Sequence, residues 1–520
     1  MSDLRDGLPI DAWYASEDRP KPVRDRYAKL LRIQELGVDP FAYSFDRTHT
    51  LAEALAAWDA AESGDSDLEE GPVVQVAGRI QALRDMGKTA FAHIEDRSGR
   101  LQIYLRRQDL AELDAALLGQ LDLADWVGVT GALFRTRTGE VTVRAAQLQL
   151  LSKTLRPVPF GKVEEKDGER IVHGGLTDIE QRARQRYADL AANPDVRDSF
   201  VVRARIVSRL RSLLDEEGYV EVETPILQPI YGGAFARPFT TFHNTLDQTL
   251  YLRVADELYL KRLIVGGLDR VYEIGKDFRN EGVDRTHNPE FTMLELYEAF
   301  ADYERMMQMA ERLVTETART VCGDLLIEYA GREVNLAPPW RRLSFYDAIQ
   351  EFAGFDARAA DEDELRSRAK ETGHAEAATA DRSKLLDIAH DYWVEPNLTD
   401  PTIIYDHPIE LSPLAKPKRG DPGLAERFEV VAAGMELINA FSELNDPVDQ
   451  WRRFAAQAAA RARGDEEAQS LDEDYVRALE YGLPPTGGLG LGVDRLTMLL
   501  TGRSTIREVI LFPALRPEES

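Results

Sequence analysis

From Val73 the hydropathy pattern of this chain switches from a helical period to a period of two. Before the switch, residues 22–37 carry Leu30, Leu31, Ile33 and Leu36 at helical spacing and stop at Gly37. Residues 51–70 read as a second short helix that fades into an acidic, small-residue stretch, taken as a solvated linker. After the switch come four strand-like runs, 73–84, 91–107, 125–136 and 140–151, with turn signals RSGR and RTGE. Short strands at this density, with a helix candidate at 108–119, fit a small closed barrel of the oligonucleotide/oligosaccharide-binding (OB) type. A β-domain with no ligand carries the same pattern.

Beyond the barrel, strands and helices mix to the C-terminus, so the fold class is α+β. The organisation reads as a helical extension and linker (1–65), a barrel (66–155), a connector (156–184) and a larger domain (185–520). Within the last, 355–385 is Ala-rich and heavily charged, and 355–400 reads as an exposed helical insertion. The net charge of −27 excludes a nucleic-acid binder that uses its whole surface. Any such contact must be local, and Arg79, Arg84, Arg100, Arg106 and Arg107 of the barrel are candidates. One cysteine, Cys322, allows neither an intrachain disulfide nor a CxxC zinc pair. No apolar run is long enough for a membrane span, and the acidic N-terminus lacks a signal-peptide pattern, so a cytoplasmic location is expected.

Gly87-Lys88-Thr89 looks like the end of a phosphate-binding loop. Ala82 stands where the first glycine is required, and the tripeptide runs into a strand, so it is rejected. Residues 271–304 are more informative. They predict a strand to Arg279, a polar loop over 280–289, a strand over 291–297 and a helix from about Asp302. An arginine at the mouth of such a hairpin suits bidentate phosphate binding, although a surface hairpin laced with salt bridges has the same composition. In residues 484–502, Gly487, Gly488, Gly490 and Gly492 precede Arg495 in a strand-to-helix passage, where close backbone approach and anion binding are both possible. Glu429 and Glu436, with Asn439, Phe441 and Glu443 at spacing two, form a third cluster. Paired carboxylates near a phosphate-binding arginine suit Mg2+, and solvated acids are the alternative. Glu257 lies in the apolar run 255–263, either on a helix surface or as a ligand for a cation.

Together these segments resemble the class II lysyl-tRNA synthetases of the bacterial type. EVETPILQ (221–228) resembles the family's motif 1, FRNEG and HNPEF within 271–304 its motif 2, and GLGLGVDRL (488–496) its motif 3. The resemblance covers about residues 22–515 and implies an antiparallel-sheet catalytic domain behind an N-terminal OB-fold barrel. It implies ATP-dependent activation of L-lysine to lysyl-adenylate, release of pyrophosphate, and transfer to the 3′ end of tRNA(Lys).

The resemblance also implies roles. Arg279 holds the α-phosphate and the substrate carboxylate. Glu281 reads the adenine amino group, Phe291 stacks on adenine, His287 approaches the β- and γ-phosphates and Arg495 holds the γ-phosphate. Glu429 and Glu436 hold Mg2+. Glu257, Tyr297 and Glu443 meet the lysine ε-ammonium, Gly233 and Glu295 the α-amino group, and Asn439 the carboxylate, with Phe441 in the same pocket. Phe91 and Gln102 contact the anticodon. The implied assembly is a homodimer through motif 1. An aspartyl- or asparaginyl-type synthetase shares the architecture, but Glu257 and Glu443 make this pocket anionic. A relative that lysylates proteins lacks the barrel, and a non-catalytic tRNA-binding paralogue would lose the ATP-gripping arginines.

Overall fold

The computed structural model of the chain describes residues 10–65, 68–166, 169–234, 236–462 and 471–518. They form two compact units, Met1–Thr177 and Asp178–Ser520.

In the first unit, helices α1 (Lys21–Glu35) and α2 (Leu51–Gly64) precede five strands: β1 (Val73–Asp85), β2 (Thr89–Glu95), β3 (Arg100–Arg106), β4 (Trp126–Arg135) and β5 (Val141–Ser152). The strands close into a barrel in the order β1-β2-β3-β5-β4. The run predicted as one strand over 91–107 is two. Asp96 breaks it, because its side chain accepts from Ser98 N at 2.7 Å and Gly99 N at 3.1 Å and folds the chain into a turn. The short helix expected from residue 51 runs to Gly64: Thr50 and Glu53 form a capping box at its start, and Trp58 is fully buried against the barrel core.

The second unit is built on an eight-stranded sheet. Its strands are β6 (Val220–Glu221), β7 (Arg270–Phe278), β8 (Glu290–Ala299), β9 (Arg341–Ser344), β10 (Thr402–Tyr405), β11 (Arg427–Ala432), β12 (Met435–Ser442) and β13 (Thr486–Gly492). Their order is β9-β10-β11-β12-β13-β8-β7-β6, antiparallel except at the two outer pairs. Helices α3 (Pro194–Glu216), α4 (Glu257–Val265), α5 (Tyr303–Cys322) and α6 (Val493–Thr501) accompany it.

Alternation along the central strands explains both faces. Leu294, Leu296, Ile438, Ala440, Leu489 and Leu491 point into one core with Met306, Met309, Leu313 and Val314 of α5. The intervening residues face the opposite side, where β13 offers only glycines. Gly490 lies between Glu295 and Asn439, and Gly488 between Tyr297 and Phe441. Helix α5 starts where predicted, with Asp302 accepting from Glu304 N at 3.1 Å.

The segment 355–400 is helical, over Glu362–Glu371 and Arg382–Ala389, but it is not merely an exposed appendage. Phe355, Leu365, Ala369, Ala377 and Leu385 bury against Phe345, Ile404 and Val431. Its alanines give a narrow apolar face that the heavy charge conceals in any window average. No helix of the described residues is long and apolar enough to cross a membrane.

Candidate active site

The glycine-floored face of the sheet carries a cleft of about 570 Å3. It is lined by Gly233, Glu257, Arg279, Glu281, His287, Phe291, Glu295, Tyr297, Glu429, Glu436, Asn439, Phe441 and Arg495. Thus thirteen of the fourteen residues predicted for this domain line one space, although they come from distant segments. The fourteenth, Glu443, is buried just behind, at the end of β12.

Arg279 directly follows β7, its backbone N–H held by Pro289 O at 2.9 Å across the hairpin. Its guanidinium lies 5.1 Å from the Phe291 ring centroid, and its buried Nε has no hydrogen-bond partner. Asp284 shapes the loop by accepting from Thr286 N at 2.7 Å and His287 N at 2.8 Å. It also takes the Nδ1 proton of His287 at 2.8 Å, which leaves Nε2 to accept from Arg495 at 2.9 Å. Arg495 is anchored in the first turn of α6 by Glu436 O at 2.7 Å. These three side chains, two of them guanidiniums, occupy one end of the cleft.

Facing them is an acidic wall. Arg427 donates to Glu429 at 2.5 Å and to Asn439 at 3.1 Å. Asp387, Asp391 and Glu395 line the same wall. Burial pushes the Glu429 carboxyl up to about 7, opposed by Arg427, and that of Glu395 up to about 8, helped by the neighbouring Asp391. Oxygen donors crowded at this charge density suit a hard divalent cation.

The other end is built around α4. Glu257, its first residue, bonds Lys261 one turn on at 2.5 Å. The same fully buried Lys261 ammonium pairs with Glu443. The sequence reading missed Lys261, because a Glu–Lys pair at i,i+4 is ordinary on a helix surface. Beside it, Tyr297 donates to Glu295 at 3.0 Å. Gly233 has φ +94°, and a Cβ there would lie 3.0 Å from that of Ala255, so only glycine fits. At Gly488 a Cβ would run into Glu443 Oε1 and Tyr297. Gly488→Ala is therefore expected to raise the KM for the amino-acid substrate sharply while leaving ATP binding near normal. Steady-state kinetics in both substrates check this.

A second buried group also escaped the sequence reading, except for its member Glu295. Asp256, Asp277 and Glu295 present carboxylate oxygens within 4.8 Å of one another. Arg253, 1% exposed, bonds Glu273 at 2.6 Å and lies 3.1 Å from Asp277. One guanidinium cannot offset so much buried charge. Burial, then the neighbouring acids, lift Asp277 and Glu295 to about 8. Asp277 titrates at about 3.9 when unfolded, so between those values the folded chain holds a proton that the unfolded chain releases. Stability contributed here is present at low pH and is lost as pH rises towards 8. Asp277→Asn is expected to flatten the fall in melting temperature across that window; a steeper fall would refute the reading.

In the barrel, Phe91 and Tyr104 pack at 4.8 Å, Tyr104 meets Phe134 at 6.1 Å, and Arg144 covers Phe134 at 4.7 Å. Gln102 donates to Glu140 at 2.7 Å and accepts from Thr142 at 2.9 Å. Of the arginines expected to form a basic patch, Arg100, Arg106 and Arg107 pair instead with Glu95, Asp109 and Asp85. Gly87 and Lys88 lie in the β1–β2 turn, with Gly87 at φ +83°, and Thr89 opens β2.

Residues 178–516 match the family described as tRNA synthetases class II (D, K and N). The chain belongs to the class II tRNA synthetases. The barrel of this synthetase, over 74–151, matches the OB-fold nucleic acid binding domain. The synthetase is 48% identical over 498 residues to a lysine–tRNA ligase of Carboxydothermus hydrogenoformans, covering 96% of this chain and 98% of that one. It is 49% identical to a lysine–tRNA ligase of Moorella thermoacetica, covering 95% and 97%. A lysine–tRNA ligase of Pelotomaculum thermopropionicum is 48% identical, covering 100% and 98%.

Proposed function

We propose that the cleft activates L-lysine with ATP and passes it to tRNA(Lys). The enzyme is a lysine–tRNA ligase. The observation that carries the choice of lysine is the pair of buried acids, Glu257 and Glu443, beside Tyr297 at one end of the cleft. An ammonium has three donors and one charge, which acids and a phenol satisfy and an acidic or amide side chain does not.

Along the cleft, Glu257, Tyr297 and Glu443 receive the ε-ammonium, and Phe441 flanks the alkyl chain. Gly233 and Glu295 take the α-ammonium, and Asn439 orients the carboxylate. Arg279 grips both that carboxylate and the α-phosphate. Phe291 and Glu281 hold adenine by stacking and by hydrogen bonding, while His287 and Arg495 draw the β- and γ-phosphates into line.

The lysine carboxylate attacks the α-phosphorus, the bond to the bridging oxygen breaks, and pyrophosphate departs. No protein base is needed, because the nucleophile is already ionised. Catalysis is alignment and charge neutralisation by Arg279 and Arg495. A ribose hydroxyl at the tRNA 3′ end then attacks the lysyl carbonyl and releases AMP. Glu429 and Glu436 would hold Mg2+, which supplies further neutralisation of phosphate charge.

The barrel reads the anticodon: Phe91, with Tyr104 and Phe134, offers stacking faces, and Gln102, held by Glu140, offers an amide for base edges. Exposed Val220, Ile226, Leu227 and Ile230 support a homodimer through this segment. We place the enzyme in the cytoplasm.

Aminoacylation of bulk tRNA with a panel of amino acids tests the reading. Lysine alone is expected to be charged, and EDTA is expected to stop the reaction. Charging of aspartate or asparagine in place of lysine would overturn it.

A further inference from the structure

We propose that Lys261 is a resident counter-ion of the amino-acid side-chain subsite, a positioning residue that fixes how many positive charges the subsite accepts. The inference rests on the lysine reading above.

Lys261 Nζ is fully buried and takes one oxygen from each of two acids, Oε1 of Glu257 and Oε2 of Glu443. The rings of Phe441 and Tyr297 lie 5.4 and 6.0 Å away. The Tyr475 hydroxyl, which also faces the ammonium, is buried without a hydrogen-bond partner. Arg427 also acts on Glu257 but is engaged by Glu429 and Asn439.

Both Glu443 oxygens lack a hydrogen-bond partner, but Oε2 makes the ion pair with Lys261, which leaves Oε1 as the oxygen available to a ligand. It points at Gly488, which lines the cleft beside Tyr297. Division of the Glu443 oxygens is the decisive feature: one belongs to the protein's own ammonium and one is left beside Gly488, behind the cleft floor.

Charge arithmetic gives this division a purpose. Two buried carboxylates and one ammonium leave one negative charge, which a single substrate ammonium cancels. Without Lys261 two buried charges would face the cleft, and solvent cations or protons would compete with lysine for them. A neutral side chain of equal length would leave Glu443 Oε1 buried and unpaired, so it is rejected. Lys261 also holds the carboxylate plane, so that Oε1 stays aimed at the cleft.

The test uses the full-length chain and lysine-dependent ATP–pyrophosphate exchange. Lys261→Ala deletes three methylene carbons and the ammonium, the atoms of n-propylamine. The KM for lysine is expected to rise by about tenfold or more, and that for ATP by less than about twofold. Added n-propylamine, but not 1-propanol, should return the lysine KM towards the wild-type value. An unchanged lysine KM overturns the proposal. So does equal recovery with 1-propanol, which would assign Lys261 to filling space.

If Lys261→Ala does not fold, Lys261→Met keeps the bulk without the charge and must show the same rise; no rise overturns the proposal. Wild-type enzyme in the same assay separates the two readings. Activation of a different amino acid defeats the lysine reading, whereas lysine activation with an unchanged KM in the variants defeats only the role of Lys261.

Discussion

Arg279→Ala is expected to lower lysine-dependent ATP–pyrophosphate exchange by about 10^3-fold or more. The guanidinium stands at the mouth of the β7–β8 hairpin, over Phe291, with a buried Nε that no protein group satisfies. Charge shifts from the attacking carboxylate to the departing pyrophosphate as the phosphoryl bond changes hands. A fixed cation beside the α-phosphorus stabilises that transition state more than the ground state, so the loss should fall mainly on kcat. The fold should survive, because the side chain is only half-buried and the hairpin is closed by backbone hydrogen bonds. Pyrophosphate exchange and a melting curve on the same preparation decide the matter. Near-normal exchange would remove Arg279 from the chemistry, and a collapsed melting curve would assign it to structure.

Glu443→Gln should be the most damaging change in the amino-acid end of the cleft. It deletes the charge that faces Gly488 and leaves Lys261 with Glu257 alone. The subsite then has no net charge to offer a second ammonium. Removing one partner of a buried charge pair costs about 2–5 kcal/mol, or about thirtyfold to several thousandfold in kcat/KM for lysine. The KM for ATP should stay near its wild-type value, since Glu443 does not border the phosphate end. Equal losses in both substrates would mean that the substitution disturbs the sheet rather than the subsite.

Much of this site was legible in the sequence, for physical reasons that can be named. The hairpin over 271–304 shows two period-two runs around a polar loop, and its register is forced by the core face of each strand. The observed strands, Arg270–Phe278 and Glu290–Ala299, depart from the expected ends by a residue or two. Arg279, Glu281, His287 and Phe291 followed from that hairpin and its likeness to a known motif. The glycines of β13 were visible but ambiguous. Their meaning depends on which strands flank them, and the pairing of Gly488 with Tyr297 and Phe441 is a long-range fact.

Lys261, and the clustering of Asp256 and Asp277 with Glu295, were missed for the same reason. Each is made by burial and by partners far along the chain, and local spacing records neither. The 355–400 segment failed differently: its charge dominated the composition and hid a face as narrow as Leu365 and Ala369, four residues apart. The arginines of the barrel were candidates for a local nucleic-acid contact, but three of the five pair with nearby acids.

The glycine floor has a consequence for redesign. Substrate choice in many enzymes is altered by exchanging side chains beneath the ligand, but β13 has none to exchange, and Gly488 has no room to gain one. Evolution and engineering alike must work from the walls: Glu295 and Tyr297 on β8, Asn439 and Phe441 on β12, and the first turn of α4. A library that randomises the central strand should yield mostly dead enzymes. One that couples Lys261 with Glu257 and Glu443 searches the positions where a different side-chain charge could be accommodated.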